Sequence, residues 1–204
     1  MRILIWLLIS LGTSFPAFGQ NLYFVSVAWV SPERQIQYND FMRQVVPIWE
    51  RHGMKVLVRG RVLGALVDTA ATPLPTEIAL LQIESRQQFN NYIADPDYRK
   101  IREIRTEPLE SMIVLEGTDS DMTDLSRLRT APQLAVLFGP AAPSSEQPDL
   151  SLSISDIGAI KGKVPDPFAT TANIGLFALS FDDNPMSFLP TEGSGMAFIL
   201  EPIE

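Results

Sequence analysis

The chain has no cysteine and only one histidine, His52. The first absence excludes disulfides, thiolate metal ligands and a lipidated cysteine anchor. With a lone imidazole beside it, a zinc centre would have to be built from carboxylates, so no metal site is expected. Lys and Arg never run beyond two in a row, and the formal net charge is −8 at pH 7. A nucleic-acid partner is therefore not expected, because phosphate backbones are held by clustered cations. The nucleophile motif Gly-x-Ser-x-Gly is missing; Gly193-Ser194-Gly195 has neither its spacing nor its strand-to-helix setting. No phosphate loop or dinucleotide fingerprint is present. The aspartates 119, 121 and 124 lack the central Gly and terminal Glu of a calcium loop. Long apolar runs are also scarce: a spanning helix needs about 20 such residues, and none is found.

What is present begins with an address. Met1-Arg2 supplies one positive charge, Ile3 to Leu11 a short apolar core, and Ala17 and Gly19 the small residues before a cut. These are the parts of a secretory signal peptide over 1–19, predicting a periplasmic or secreted protein with no stable membrane insertion after cleavage.

The next hundred residues alternate between strand and helix patterns. Leu22 to Val30 is apolar on both alternating faces, the mark of a strand buried on two sides. Ser31-Pro32-Glu33 is a helix start, and Tyr38, Phe41, Met42, Val45 and Trp49 recur at helical spacing. Pro47 should kink or end that helix, and Gly53 after His52 suits its stop. Met54 to Leu66 reads as a second strand, with Val56, Val58 and Val62 on one face and Lys55, Leu57, Arg59 and Arg61 on the other. Glu77 to Glu84 is a third strand. Ser85 and Gln88 form a capping box for a helix that Asp95-Pro96 interrupts and restarts. Its Arg102 and Arg105 read as a solvated face. Ser111 to Gly117 closes the set as a fourth strand. The order βαββαβ is ferredoxin-like, so the class is α+β with a domain over 20–118.

Residues 119–132 read as a polar linker, with Asp119 to Thr130 a linker or one short helix, and 133–204 as a β-rich, helix-poor C-terminal half with strands near 133–138, 150–160, 174–181 and 196–200. This half echoes the first. Ile78-Ala79-Leu80-Leu81 returns as Ile174-Gly175-Leu176-Phe177, and Leu115-Glu116-Gly117 as Leu200-Glu201-Pro202. It can be read as a degenerate second copy without helices. A four-stranded sheet with helices on one side leaves its other face bare. The two-sided apolarity of the first strand calls for a cover, from a second chain or from this C-terminal half.

Tyr38, Pro47, Glu50-Arg51-His52-Gly53, Val56 to Gly60, Ile83-Glu84-Ser85, Asp95 to Arg99 and Val114 to Gly117 together carry a resemblance. Residues 22–117 resemble the domain-of-unknown-function 1330 family of the dimeric α/β-barrel superfamily. The resemblance implies a barrel completed by a homodimer or by an internal pseudo-dimer. That superfamily includes cofactor-free monooxygenases, lactone isomerases and haem proteins, so the fold alone assigns no function.

Five residues are candidates for a site. His52 titrates near neutrality and is a candidate general base, or an axial haem ligand; against this, a histidine at a helix end is favoured by the helix dipole. Arg59 and Arg61 would form an anion-binding wall if their strand face lined the barrel, and otherwise pair with Glu77 or Glu84. Tyr38 and Tyr98 sit on the apolar helix stripes, where they serve either packing or a ligand. The first reading is a small-molecule-binding or structural protein without cofactor. The alternative is a cofactor-independent monooxygenase or isomerase acting on a small aromatic or lactone substrate, with His52 as base and Arg59 as anion holder.

Overall fold

A computed structural model describes residues 21–66, 73–122, 125–139, 147–188 and 195–203. The expected leader, 1–19, lies outside these residues, as does most of the loops expected at 68–75 and 140–148. The first half holds β1 (Leu22–Val30), α1 (Gln35–Arg51), β2 (Lys55–Ala65), β3 (Glu77–Ile83), α2 (Arg86–Ala94), α3 (Pro96–Thr106) and β4 (Leu109–Met122). A short helix, α4 (Leu125–Thr130), leads into β5 (Gln133–Gly139), β6 (Leu150–Lys161), α5 (Asp166–Ala169), β7 (Asn173–Leu179) and β8 (Met196–Pro202). No helix among the described residues is long and apolar enough to cross a membrane.

The α+β content is as expected, but the two halves share one sheet. All eight strands close a barrel in the order β1-β3-β2-β8-β5-β7-β6-β4, each neighbour antiparallel. Within the first half the order is β4-β1-β3-β2; within the second it is β8-β5-β7-β6. Counted from each half's own first strand, both orders are fourth, first, third, second. The halves meet at two seams, β2 with β8 and β4 with β6. Each seam carries a glycine where strands crowd. A Cβ on Gly117 would lie 2.5 Å from the Ser153 carbonyl oxygen, and one on Gly60 would lie 2.9 Å from Leu200 Cβ.

The sequence echoes fall on equivalent strands and faces. Ile78 and Leu80 of β3, Ile174 and Leu176 of β7, Leu115 of β4 and Leu200 of β8 all join one interior core. That core fills the barrel with side chains from both halves, including Tyr23, Val27, Trp29, Phe138 and Phe198. Its ends are closed by Leu128 of α4 and Phe168 of α5, each 1% exposed. Because β5 and β7 are antiparallel and each follows its plugging helix, the two plugs stand at opposite ends. Burying such side chains gives about 1.5–3 kcal/mol apiece, so the sealed interior is the main source of stability.

Four local expectations change. Of the linker or short helix expected at 119–130 the helix forms, as α4, but it plugs the barrel, and β4 continues to Met122 along β6. Pro47 does not end α1, which continues to Arg51. Pro47 is on the exposed side, so the Arg43 carbonyl that loses its bond can be solvated. Ser31 makes no side-chain cap, since the chain enters α1 through a 3-10 turn, Pro32–Arg34. A register shift between Val56 and Val58 turns both Leu57 and Val58 inward, so Leu57 does not share a face with Arg59.

The outer face of the first half is covered by α1, α2 and α3 over a second core containing Phe24, Tyr38, Phe41, Leu81, Tyr92 and Tyr98. Chain entry and exit are well specified there. Gly53, at φ 71°, closes α1 with Met54 N–H bonded to the Trp49 carbonyl and Gly53 N–H to the Glu50 carbonyl. Ser85 Oγ accepts the Gln88 amide at 3.3 Å, as the capping pattern requires, while the Gln88 side chain donates to Glu84 instead.

Candidate functional site

The buried carboxylates of the first half, Asp95 and Glu77, lie in the layer between helices and sheet, at the two ends of the α1–α3 pair. These helices are antiparallel neighbours: Arg51 and His52, ending α1, meet Asp95, starting α3, while Arg34, just before α1, donates to the Glu107 carbonyl just after α3.

At the first of these ends Asp95 organises everything. Its Oδ1 accepts the amides of Asp97 at 2.7 Å and Tyr98 at 3.3 Å, capping α3. Its Oδ2 lies 2.7 Å from His52 Nε2 and accepts from Arg51 Nη2 at 2.7 Å. Bonds from His52 and then Arg51 hold its carboxyl well below the usual carboxylate range. Arg51 also reaches Asp97 at 3.2 Å, and the His52 ring stands edge-on to Tyr92. His52 is thus a half-buried tie between two helices.

At the opposite end Glu77 is the centre. Arg59 donates to it twice, Nε to Oε1 at 2.8 Å and Nη2 to Oε2 at 2.9 Å, and Tyr38 Oη donates to Oε1 at 3.3 Å. The side chains of Arg59 and Glu77 are 13% and 5% exposed, so this is a buried, bidentate pair. Burial, and next the Glu77 charge, push the Tyr38 phenol far above its ordinary value, so it stays a hydrogen-bond donor. Arg105 lies close enough to oppose that push.

The expected site residues are therefore distributed as follows. Arg59 and Arg61 face outward, not into the barrel: the inward positions of β2 are Leu57, Val58 and Val62. Arg59 has the Glu77 pairing foreseen as its other outcome, and Arg61 is exposed, 3.8 Å from Glu201. Tyr38 joins Arg59 through Glu77. His52 does not: it lies fourteen residues along α1 from Tyr38, about 20 Å at helical rise. A His52 base and an Arg59 anion holder are not brought together. Tyr98 packs on Tyr92, with ring centroids 4.2 Å apart, and its hydroxyl accepts from Arg105 Nη1 at 2.8 Å.

Arg105 is the residue that sequence reasoning misplaced. It is half-buried rather than solvated, with its guanidinium carbon 5.8 Å from the Tyr98 ring centroid. The signal was available: seven residues separate it from Tyr98, two helical turns on one face. In the second half, Asp149 is buried and accepts from the Ala178 amide at 2.8 Å and from Arg127 at 2.9 Å, tying α4 to β6 and β7. No group of three or more His, Asp or Glu side chains among the described residues is placed to hold a metal ion.

Residues 23–118 match the family described as Domain of unknown function (DUF1330). The match covers this segment and not the rest of the chain. No curated protein matches the chain. Among solved structures, a protein of unknown function from Rhodopseudomonas palustris is 19% identical, covering 48% of this chain and 81% of its own, with a TM-score of 0.44. An anthrone oxidase-like protein is 10% identical and covers 91% of this chain and 92% of its own, with a TM-score of 0.50. A candidate monooxygenase from Lactobacillus acidophilus is 7% identical over 90% and 94%, at 0.49. The likeness to the anthrone oxidase-like protein, which runs the length of both chains, is one of fold.

Proposed function

We propose that this chain is an exported small-molecule-binding protein built as a one-chain counterpart of a dimeric α/β barrel, its C-terminal half standing where a second subunit would. The observation that carries this reading is the recurrence of the strand order fourth, first, third, second in both halves. The two sequence echoes, on equivalent strands and faces, support it as the degenerate second copy of a ferredoxin-like domain. With the interior filled and plugged at both ends, a ligand belongs in the helix–sheet layer of the first half. The chemically able groups there are tied to one another, His52 to Asp95 and Glu77 to Arg59 and Tyr38, which suits holding a ligand better than turning one over. The signal-peptide pattern of residues 1–19 supports a periplasmic or secreted location. No cofactor enters this reading.

A second reading, a cofactor-independent monooxygenase or isomerase acting on a small aromatic or lactone substrate, is favoured by the fold shared with the anthrone oxidase-like protein. In that reading Glu77, not His52, is the candidate base, a carboxylate beside a tyrosine and two arginines.

A thermal-shift screen of the mature protein against small acids, neutral aromatics, lactones and amines tests the binding reading. Saturable stabilisation by at least one class is expected; no shift from any class contradicts it. Turnover of a stabilising compound in air would favour the second reading. The N-terminal sequence of protein recovered outside the cytoplasm, expected to begin at Gln20, tests export.

A further inference from the structure

We propose that Arg105 holds the anionic group of a small aromatic acid at the end of the α1–α3 pair where Tyr38 and Glu77 lie. This rests on the small-molecule-binding reading and assigns that ligand a place and a chemical class.

The charges around Tyr38 do not balance. Two guanidinium groups, Arg59 and Arg105, are set against one carboxylate, and both oxygens of Glu77 are already occupied by Arg59, one of them also by Tyr38. Arg105 has no ion pair among the described residues. Its Nη1 is used on Tyr98, but its Nε is buried and meets no acceptor there. A buried donor left without an acceptor is costly, and that cost is relieved by whatever supplies one.

Capping of α3 does not explain the residue either. The carbonyl of Thr106 accepts from Lys161 Nζ at 2.7 Å, reaching over from β6, and that of Glu107 accepts from Arg34 at 2.9 Å. The last turn is served by other cations.

The geometry names the ligand chemistry. With Nη1 committed to Tyr98, the edge of the guanidinium formed by Nε and Nη2 meets no acceptor among the described residues. That edge presents two parallel N–H groups, the pattern a carboxylate meets with both oxygens. The neighbours are aromatic: Tyr98 under the guanidinium, Tyr92 packed at a tilt on Tyr98, and Tyr38 within its electrostatic reach. Ile36 in the first turn of α1 and Ile104 near the end of α3 are exposed at the same end of the pair, offering apolar surface to a ring. An aromatic carboxylate matches both halves of this environment.

Calorimetric titration of the mature protein with benzoate and with salicylate tests the assignment. Saturable binding of at least one acid, near one per chain, is expected. Arg105→Gln should weaken it tenfold or more. Arg105→Lys, which keeps the charge and loses the paired edge, should fall between the two. Arg99→Gln, on the exposed side of α3, should bind as the wild type does. Melting curves of each variant establish that it is folded, and the lysine variant keeps the test open if the glutamine variant is not. Equal affinity in Arg105→Gln and wild type would overturn the site while leaving a binding protein. No saturable heat from either acid would also overturn it, and the broader screen above then decides whether the binding reading falls with it.

Discussion

In the first half of the barrel, three helices lie on the outer face of the sheet and bury Tyr38, Phe41, Tyr92 and Tyr98 against it. In the second half the outer cluster is small, Phe177 with Ala135, Leu137, Leu179 and Ala197, and β6 turns Ser153, Ser155 and Asp156 to solvent. Toward the interior the halves are alike: each contributes residues of four strands to one core, in one strand order. The inner faces answer to a single requirement, since a bare apolar sheet face must be covered. The outer faces do not: among the described residues, the ion pairs with both partners largely buried, Arg59–Glu77 and His52–Asp95, lie on the one with helices. The proposed ligand site lies within that shelter. The second half supplies the cover that allows the first to keep it.

The largest break in this comparison is removal of one side. A chain ending at Thr118 loses the partners of β2 and β4 and exposes Tyr23, Val25, Val27 and Trp29 from within. It should be recovered by size-exclusion chromatography as a dimer or larger species; a stable folded monomer would show that the first half needs no cover.

Next come the plugs, one at each end. Phe168→Ala should cost about 4 kcal/mol and Leu128→Ala about 3 kcal/mol, as buried large-to-alanine changes do. Urea unfolding with one shared transition is expected for both, because the core is common to the two halves. Separate transitions would indicate two independent cores.

The seams come third and are unequal. Gly117→Ala meets backbone, the Ser153 carbonyl oxygen, and should cost about 3 kcal/mol. Gly60→Ala meets mainly the Leu200 side chain, which can shift, and should cost about 1 kcal/mol. The ranking, read from urea midpoints, is the discriminating result.

The smallest effect is confined to the first half. The Asp95 carboxyl is lowered in the folded state, so its contribution is present above the ordinary carboxylate value and is lost as pH falls through the lowered one. Hydrogen exchange at the amides of Asp97 and Tyr98 should accelerate as the pH drops below about 4, relative to amides of β5 and β7. Asp95→Asn should flatten that pH dependence. An equal acceleration in both halves would remove the special place of Asp95.

Much of this was legible in the chain. The two-sided apolarity of Leu22 to Val30 marked a strand between core layers, and it lies between the barrel interior and the helices. The Gly53 stop and the Ser85 cap were readable because each depends on a few adjacent residues. Failures came where the outcome depends on distant ones. Leu57 and Val58 both turn inward because a shifted register toward β3 overrides alternation. Leu128 lies in a short segment too polar to suggest a core, and it is buried only because the closed barrel leaves an end to fill. Arg105 read as solvent-facing, although its spacing of seven residues from the buried Tyr98 put it on the same face of α3. His52 drew attention as the single imidazole, yet its partner Asp95 lies 43 residues away in the chain and makes it a tie between helices.

The comparison rests on one claim, that the second half does for the first what a second subunit would. Sedimentation equilibrium of the mature protein at micromolar concentration measures this directly. A single species with the mass of one chain, unchanged on dilution, is predicted. A dimer that persists on dilution would contradict it.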